Sequence, residues 1–438
     1  MQINQKEKKL VFVELNEINF DVVKSYLKIG VKLPAFNRIF KEGLLITKSE
    51  LDYENLEPWI QWPSVHTGLN YEEHKTFRLG DFVKSNKKQF FEKVEEAGYK
   101  VGAISPMNAS NNLVNPAYFI PDPWTQTQSD GSFFSNGIAN AVSQAVNDNS
   151  SSKLTFSTIL NLALAFIFLV HPLRLIPMIG YAINALGSPW RKALFLDKLL
   201  HEIHITLYKR KKPNFSTLFL NAGAHIQHHY YFNSPFVESE ELKNPSWYIE
   251  ESKDPFLEML KVYDSILLDL FELKNSELII ATGLSQTPYT HLKFYYRLQD
   301  HKSFLDSMEI VYKDVVPRMT RDFLVTFNSI DEAARAESKL KEIYVDNKIH
   351  LFEEIDNRGK DLFVVLTYPH EIKEKTTINI EEKVLNLNEF TTFVAIKNGE
   401  HQEKGFAYFS GGVKKFAPTN YSHVSNIHNT VLSFFNVN

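Results

Sequence analysis

The chain has 438 residues, of which 44% are apolar, and it contains no cysteine. This length allows one large domain with insertions or two to three domains, and the lack of cysteine excludes disulfide bonds and thiol catalysis. The formal net charge is only −4 and the basic residues are dispersed, so we predict no nucleic-acid partner. The polar N-terminus leads directly into a strand without a secretory signal, so we expect a cytoplasmic location.

The first predicted strand, residues 10–13, ends in a polar segment that contains Glu14, Asn16 and Glu17. Polar groups at the carboxyl end of a buried strand are typical of the ligand-binding edge of an α/β sheet. Helix capping and turn formation are the alternative explanation for the same residues.

A stiff aromatic segment follows at residues 57–68, with two tryptophans and two prolines. We predict a helix there from Pro63 to Gly68. The side chains of this segment and its continuation that suit contact with a substrate are Trp59, Gln61, Trp62 and His74.

Residues 154–186 are almost entirely apolar, with Arg174 as the single charge. The first run, residues 154–170, is at the short limit for a helix that spans a bilayer, and Ser, Thr and Asn interrupt it. We therefore predict two inserted helices, with peripheral contact to a membrane surface through 154–186 as the alternative.

The densest polar motif comes after the apolar run 215–220, which predicts a buried strand. His225, His228 and His229 lie within five residues, and on a helical turn they would share one face and could bind a metal or an anion. A polar helix start with packed histidines is the alternative.

Residues 305–395 differ in character from the rest of the chain. Their pattern predicts strands at 322–327, 351–355 and 362–367 and a helix at 329–344. This set indicates a small α+β insertion of ferredoxin-like character.

The order of the motifs resembles the alkaline phosphatase superfamily, which includes sulfatases, nucleotide phosphodiesterases and cofactor-independent phosphoglycerate mutases. Residues 33–43 resemble the family's Pro-x-Leu-x-Arg-Leu-x-x-x-Gly helix, Thr67-Gly68 and His74 resemble the end of its nucleophile helix, and His401 lies in a Gly-x-His motif. The resemblance implies an α/β fold with a central mixed sheet flanked by helices. The implied domains are a core at 1–135, a helical apolar insertion at 136–212, core at 213–304, an α+β insertion at 305–395, and core at 396–438.

Members of this family hold two divalent metals and attack phosphorus or sulfur with a Ser, Thr or formylglycine nucleophile. Here the nucleophile would fall in residues 57–61, which contain no hydroxyl or thiol group. Several family ligands are also replaced, since the equivalent positions are Asn16-Glu17, Ala224 and Thr282-Gly283. The resemblance therefore implies that the second metal and the covalent route are lost.

The two histidines of the family's first metal fall on His228 and His401. We expect one divalent metal there, zinc or manganese, with His225 or His229 as a third ligand and Glu14 or Glu17 as an added carboxylate or general base. The alternative is that His228 and His401 are a packed polar pair.

The function we expect is a hydrolase or group-transfer enzyme of this superfamily type, acting on a phosphate ester, a sulfate ester or an activated sugar in surface glycan biosynthesis. A pseudoenzyme that binds a glycan or protein partner, and a membrane-surface accessory protein, are the alternatives. The catalytic candidates are Glu14, Glu17, His66 and His225. The substrate-binding candidates are Asn16, Trp59, Gln61, Trp62, His74, Thr282 and Gln286, and the metal candidates are His228, His229 and His401.

Overall fold

The structure is a computed structural model, which describes residues 8–147, 164, 166–318, 321–380 and 383–437. Most of the apolar run 154–170, and with it the first of the two predicted inserted helices, lies outside the described residues. The second run forms a helix at Leu175–Asn184. Among the residues that the structure describes, no helix combines the length and the apolar character needed to cross a bilayer.

The strands and helices are numbered in chain order. The strands are β1 (Leu10–Leu15), β2 (Leu44–Lys48), β3 (Val101–Ile104), β4 (Tyr118–Ile120), β5 (Phe215–Leu220), β6 (Glu277–Ala281), β7 (Ser285–Leu298), β8 (Asp314–Pro317), β9 (Asp322–Thr326), β10 (Tyr344–Val345), β11 (Ile349–His350), β12 (Glu354–Asn357), β13 (Asp361–Val365), β14 (Thr377–Ile380), β15 (Lys383–Asn386), β16 (Thr391–Gln402), β17 (Lys404–Phe409) and β18 (Ser422–His423). The helices are α1 (Phe20–Lys28), α2 (Pro34–Glu42), α3 (Pro58–Thr67), α4 (Tyr71–His74), α5 (Phe90–Glu96), α6 (Phe133–Asn147), α7 (Leu175–Asn184), α8 (Pro189–Lys211), α9 (Ala222–Tyr230), α10 (Pro255–Phe271), α11 (His301–Ser307), α12 (Ile330–Lys341) and α13 (Asn426–Phe435).

An eight-stranded mixed sheet has the order β18-β2-β17-β6-β1-β5-β3-β4. Strand β1 lies between the parallel strands β5 and β6, and all six of its residues are buried, as expected for a central strand covered on both faces. Strand β17 is antiparallel to β6 and β2. The predicted fold class, α/β with a large mixed sheet flanked by helices, is confirmed.

The side chains of β1 point alternately into two hydrophobic cores, one on each face of the central sheet. Val11, Val13 and Leu15 belong to the cluster that contains the buried side chains of α8 and α10, whereas Leu10 and Phe12 belong to the cluster that contains those of α3, α5 and α13. Side chains of a strand point alternately to opposite faces, so neighbouring polar residues at the end of β1 also diverge.

Helix α3 begins at Pro58, five residues before the predicted start, and ends as predicted at Gly68, which adopts a left-handed conformation. Pro58 is at the first turn, where a missing N–H costs nothing. The second proline, Pro63, lies inside the helix and leaves the carbonyl of Trp59 without its helical donor. The side-chain amide of Asn108 donates to that carbonyl at 2.8 Å, which explains why the helix continues.

The region from β8 to β15 forms two four-stranded antiparallel sheets around its own apolar core. Helix α12 begins after Ser329, whose hydroxyl accepts from the amide of Glu332. The strand predicted at 351–355 lies instead at Glu354–Asn357, because Leu351 and Phe352 are buried in the core of this region before the strand starts. The long antiparallel ribbon β7–β16 connects this region to the central sheet.

Candidate metal centre

Three side chains from distant parts of the chain meet at the carboxyl ends of β1 and β5. Oε2 of Glu17 lies 3.1 Å from Nε2 of His228 and 3.0 Å from Nε2 of His401, and the two nitrogens are 3.1 Å apart. We call Glu17, His228 and His401 the centre trio. Glu17 is 2% exposed and His401 12%, while His228 is 30% exposed, so the centre opens to solvent on the His228 side.

Glu17 follows β1 in a left-handed backbone conformation, with φ of +63°. Such a conformation costs a residue with a Cβ about 1–2 kcal/mol and favours glycine. Strain of this kind is maintained at functional sites where the side chain itself is needed. The backbone conformation thus brings the carboxylate to a place that a glycine would leave empty.

Neutral amides hold the Glu17 side chain. Asn16 donates to Oε1 at 2.9 Å and Gln286 donates to Oε2, while Gln227 donates to the backbone carbonyl of Glu17 at 2.9 Å. All four residues are buried. The carboxylate is therefore fixed by donors that leave its charge uncompensated, and its Oε2 remains directed at the two imidazoles.

His228 is positioned by helix α9, which begins at the end of β5. Asp197 accepts from the backbone amide of Ala222 at 2.8 Å, and the hydroxyl of Tyr263 accepts from that of Gly223 at 2.9 Å, so the free amides of the first turn are satisfied. A Cβ at Gly223 would lie 2.1 Å from Ile18, which shows how closely this helix approaches the residues after β1.

His401 lies on β16, where its register partner on β7 is Gln286. Its second ring nitrogen, Nδ1, is 3.6 Å from Oε2 of Glu57, and the ring also bonds the backbone carbonyl of Leu56. A carboxylate and a carbonyl behind a ligating histidine are the usual means of fixing ring orientation and tautomer at a metal.

The charges of the centre are coupled. Burial by itself would raise the pKa of Glu17, but His401 and His228 outweigh it and hold that pKa well below its ordinary value. Burial lowers the pKa of His401, but Glu17 and Glu57 outweigh burial and the net pKa is raised. Burial raises the pKa of Glu57 to about 7, with His401 opposing and Glu17 reinforcing the shift.

The donor set fits a divalent cation. Three atoms at mutual distances of 3.0–3.1 Å can all lie about 2.1 Å from one point, which is the distance at which zinc binds imidazole nitrogen and carboxylate oxygen. Two histidines and one carboxylate with an open side are also the ligand set of catalytic zinc sites. The centre trio is therefore able to hold one metal ion.

No protein-family model matches the chain, and no curated protein matches it in sequence. Solved structures do match over nearly the whole chain. Phosphonoacetate hydrolase from Sinorhizobium meliloti 1021 in complex with phosphonoacetate is 10% identical at a TM-score of 0.46, with 98% of this chain and 96% of that chain covered. Murine ectonucleotide pyrophosphatase/phosphodiesterase 5 is 11% identical at 0.41, with 98% and 96% covered, and wild-type alkaline phosphatase PafA is 12% identical at 0.45, with 100% and 97% covered.

These three proteins are members of the alkaline phosphatase superfamily, the family that the sequence motifs resemble. The identities are near 10% and the TM-scores are below 0.5, so what these proteins bind or hydrolyse is not transferred to this chain.

The predicted ligands His225 and His229 lie beside the centre trio but are not part of it. Their rings pack on each other, with centroids 4.9 Å apart, and His229 bonds the carbonyl of Ile396. Burial lowers the pKa of His225 to about 4 and that of His229 well below its ordinary value. Both are therefore neutral packing partners at neutral pH, and of the three histidines only His228 contributes an atom to the centre trio.

Glu14 and His66 form a separate buried pair, with Oε1 of Glu14 3.1 Å from Nε2 of His66. Neither side chain has any exposed surface. Glu14 is the next-to-last residue of β1, and the ring of its partner His66 packs against Trp62 and Phe90 in the core on the α3 side of the sheet. The structure therefore does not bring these two catalytic candidates to the centre trio.

The residues of α3 that were predicted to contact a substrate mainly stabilise the fold. Trp62 is fully buried and donates from Nε1 to Oδ1 of Asn16 at 2.7 Å, and Gln61 is buried with Nε2 on the carbonyl of Asn55. Trp59 bonds the carbonyl of Phe77. Two hydroxyl groups on this helix, Ser64 and Thr67, are buried and donate to carbonyls of its preceding turn, so neither is free to attack a substrate.

His74 and Thr282, which were predicted to bind substrate, lie away from the centre trio. Nδ1 of His74 accepts from the amide of Thr76 and Nε2 bonds Ser64 at 2.9 Å, and burial lowers the pKa of His74 to about 4. The hydroxyl of Thr282 accepts from the amide of Phe406 at 2.9 Å. Thr282 therefore supports strand β17 at the place where the superfamily has a metal ligand.

Sequence reasoning did not select Glu57 or Gln227 as site residues. Glu57 lies in the segment where the resemblance predicts a hydroxyl or thiol nucleophile, and a lone carboxylate there does not by itself indicate a site. Gln227 directly precedes His228, and a buried amide on the inner face of a helix gives no signal in the sequence. The aromatic and proline-rich context of Glu57 was the one available indication.

A second group of potential ligands, His201, Glu202 and Asp269, lies between α8 and α10. Here the charges are already balanced, because Arg174 bonds both carboxylates and Nζ of Lys198 lies 3.7–3.8 Å from each. Two fixed positive charges repel a divalent cation, so this group is an ion-pair network that ties Arg174 to the two helices.

Proposed function

We propose that the protein is a metal-dependent hydrolase of phosphate esters, built on an alkaline phosphatase-like scaffold and reduced to a single cation at the centre trio. The observation that carries the proposal is the convergence of Glu17 Oε2 with the Nε2 atoms of His228 and His401. When bound, a divalent cation supplies a Lewis acid that polarises a phosphoryl oxygen and brings the pKa of water near neutrality.

The side chains at the former second-metal positions support a single cation. The Asn16 amide bonds Glu17 and Asn221, and its oxygen accepts from Trp62. The Thr282 hydroxyl bonds the backbone of β17. Both side chains are thus already engaged in hydrogen bonds within the protein, and within the described residues no second cluster of ligand atoms is formed at this edge of the sheet.

Glu57 is the group we assign to proton transfer. Its carboxylate lies 3.6 Å from the back of the His401 ring, at the start of α3, where the superfamily places its nucleophile. A carboxyl with a pKa near 7 can both take a proton from water and return it to a leaving alcohol at neutral pH. Attack by water, with no covalent intermediate, follows from the burial of Ser64 and Thr67.

Among the expected cations, zinc suits this centre better than manganese. Two of the three donor atoms are imidazole nitrogens, which zinc accepts readily, whereas manganese prefers carboxylate, carbonyl and water ligands. Sulfate esters and activated sugars are the other substrates we expected, and the same cation would act on them. A role in surface glycan biosynthesis and a cytoplasmic location remain expectations from the sequence.

The proposal is tested by metal analysis together with hydrolysis of bis(4-nitrophenyl) phosphate, 4-nitrophenyl phosphate and 4-nitrophenyl sulfate. Wild type should contain about one zinc per chain and release nitrophenol from a phosphate ester. Glu17→Gln, His228→Ala and His401→Ala should each lose the metal and the activity, whereas His291→Ala, at an exposed position on β7, should keep both. Metal-free wild type that still binds a glycan would favour the pseudoenzyme instead.

His229→Ala separates the proposed ligand set from the one predicted from the sequence. Its ring packs on His225 outside the centre trio, so this variant should retain metal at the wild-type ratio even if it is less stable. Loss of metal from His229→Ala with retention in Glu17→Gln would overturn the ligand assignment.

A specific observation favours membrane-surface contact as well. Helix α7 exposes Ile176 (82%) and Ile183 (60%) on one face, and Leu173 before it is 84% exposed. Arg210, in the basic last turn of α8, bonds the carbonyl of Phe168, an exposed apolar residue before α7, so cations of α8 lie beside exposed apolar surface of this segment. An apolar face with adjacent cations is the pattern of a helix that lies on an anionic bilayer.

Flotation with vesicles that contain phosphatidylglycerol tests this contact. Wild type should float with the vesicles, and a variant with Ile176→Ser and Ile183→Ser should remain at the bottom of the gradient. The control is Ile330→Ser, which removes a similarly exposed isoleucine from the start of α12. Equal flotation of all three proteins would remove the proposed contact.

A further inference from the structure

The ribbon β7–β16 carries two lysines directly opposite each other. Lys293 and Lys397 are register partners on the antiparallel strands, where opposed side chains have their Cβ atoms about 5 Å apart. Like charges in this arrangement destabilise a sheet. Lys397 is on the same strand as the metal ligand His401, four residues before it, which corresponds to roughly 13 Å along the strand.

A third positive charge is added by Arg321, just before β9. Its guanidinium stacks over the ring of Tyr295 at 4.5 Å, and Tyr295 is two residues from Lys293 on the same face of the strand. The Lys397 ammonium lies over the ring of Tyr289 at 3.8 Å. We call Lys293, Lys397 and Arg321 the ribbon cations.

The ribbon cations are half-buried, and their charges are not paired. Within the described chain none of the three nitrogen groups is within 4.0 Å of a carboxylate oxygen, and Arg321 donates only to the carbonyl of Leu366. Burial, together with the neighbouring cations, lowers the pKa of both lysines. The acidic groups that oppose this effect are Glu57 and Glu400 toward Lys397, and Glu353 and Glu354 toward Lys293.

The cluster is also close to the centre trio. Lys397 and His401 share strand β16, and Glu57, 3.6 Å from Nδ1 of His401, also interacts electrostatically with Lys397. The tyrosines that hold the cations supply ring faces in the same place. Three unpaired positive charges with aromatic surfaces, next to a hydrolytic centre, suit an oxyanion attached to an organic group.

We infer that Lys293, Lys397 and Arg321 form an anion subsite that binds a second oxyanion of the substrate, distant from the bond that is broken. This inference rests on the proposed function, because it assigns a specificity site to the same centre. The substrate class is then a phosphate ester that carries, at the far end of an organic spacer, a further phosphate or carboxylate group. The opposed lysines are explained as a repulsive pair that this anion neutralises.

The test uses three chromogenic diesters that differ only at the distal end: 4-nitrophenyl hexyl phosphate and its analogues with a terminal carboxylate and a terminal phosphate. Wild type should hydrolyse an anionic analogue with kcat/KM about tenfold above that of the hexyl ester, mainly through KM, and added salt should reduce this ratio. The analogue that gains more identifies the preferred oxyanion. Equal kcat/KM for the three esters in the wild type would overturn the inference.

Variants make the assignment specific. In Lys293→Met, Lys397→Met and Arg321→Met the ratio should fall toward one, whereas Lys348→Met, at an exposed position in the same region, should keep it. Retention of the wild-type ratio in all three variants would also overturn the inference. The melting temperatures of the variants show whether a lysine is instead needed for the fold. Removing one of two opposed charges should leave the melting temperature unchanged or raise it, whereas removing a structural lysine would lower it.

If the proposed function is wrong, the purified protein will contain no metal and will hydrolyse none of the esters, which is a different result from a failed subsite. In that case calorimetric titration of the full chain with hexane-1,6-diyl bisphosphate still decides the subsite. Binding to wild type and to Lys348→Met, with loss in Lys397→Met, supports it, and equal affinity for all three proteins contradicts it.

Discussion

Single residues in this protein carry roles that their neighbours in sequence do not share. Glu17 adopts the left-handed conformation and reaches two imidazoles, while Glu14, three residues earlier, pairs with His66 inside the core. Likewise His228 faces the centre and His229 packs on His225. Chemistry at this scale is set by side-chain direction rather than by residue type.

Replacing Glu57 tests its assignment to proton transfer. Glu57→Gln keeps the shape of the side chain and removes the base, so kcat should fall about 100-fold or more. Zinc content should stay near the wild-type value, because the three donor atoms are untouched. A variant with full kcat would show that the carboxylate only orients His401, and a variant without zinc would show that it is needed for metal binding.

A second residue-scale prediction concerns pH. His428 is buried, accepts from Lys93 at 2.9 Å and bonds the carbonyl of His66, and burial, followed by the charge of Lys93, lowers its pKa to about 3. Below pH 6.5 the unfolded chain protonates this ring and the folded chain does not. Its contribution to stability is thus complete above pH 6.5 and is lost as the pH falls toward 3.

Chemical denaturation of wild type and His428→Gln at several pH values measures this effect. The difference in unfolding free energy should shift in favour of the variant by up to about 1.4 kcal/mol per pH unit below pH 6. A constant difference between pH 8 and pH 4 would contradict the assigned pKa. The comparison within one pair of proteins cancels the titration of all other groups.

At the scale of elements, the centre depends on how closely β16 approaches α9 and β7. Gly399 on β16 has no room for a side chain, since a Cβ would lie 2.2 Å from Oε1 of Gln286 and 2.6 Å from the carbonyl of Gln227. Both glutamines bond Glu17. The spacing of these elements therefore also sets the position of the carboxylate.

Gly399→Ala should weaken both folding and metal binding. We expect a loss of about 1–3 kcal/mol in unfolding free energy from the forced displacement, together with a lower zinc affinity measured by competition with a chelator. Gly180→Ala is the control, because a Cβ at this position in α7 meets no atom within 4 Å. Unchanged zinc affinity in a folded Gly399→Ala protein would show that the glutamines do not position Glu17.

At the scale of the whole molecule, one cation would join β1, α9 and β16. The three donors are at positions 17, 228 and 401, so binding connects the first strand of the central sheet to the β7–β16 ribbon. A ligand that binds only the folded state stabilises it by about 4 kcal/mol when present at 1,000 times its dissociation constant. Metal content and global stability should therefore be linked.

Removal of the metal tests this link. A chelator should lower the melting temperature of wild type, and addition of zinc should restore it. His401→Ala should melt at one temperature with and without chelator, because it has lost a donor. An equal effect of the chelator on wild type and on His401→Ala would place the stabilising ion elsewhere.

Local patterns in the sequence determined a large part of this fold. The apolar runs at β1 and β5, the histidine-rich turn after β5 and the glycine that ends α3 are all short-range signals, and each was correctly predicted. The start of α3 was missed because Pro63, which usually begins a helix, is tolerated inside it through Asn108, which lies 45 residues further along the chain.

The sequence by itself determined which residue types were present and which were missing: two histidines of one metal, a carboxylate after the first strand, and no hydroxyl or thiol nucleophile. Only the tertiary structure decided that Glu17, rather than Glu14 or His229, completes the centre, and that Glu57 stands behind His401. The reason is that these contacts depend on sheet order and on the face to which each side chain points. A shift of one residue along a strand reverses that face, and the antiparallel return of β17 between β6 and β2 brings together residues hundreds of positions apart.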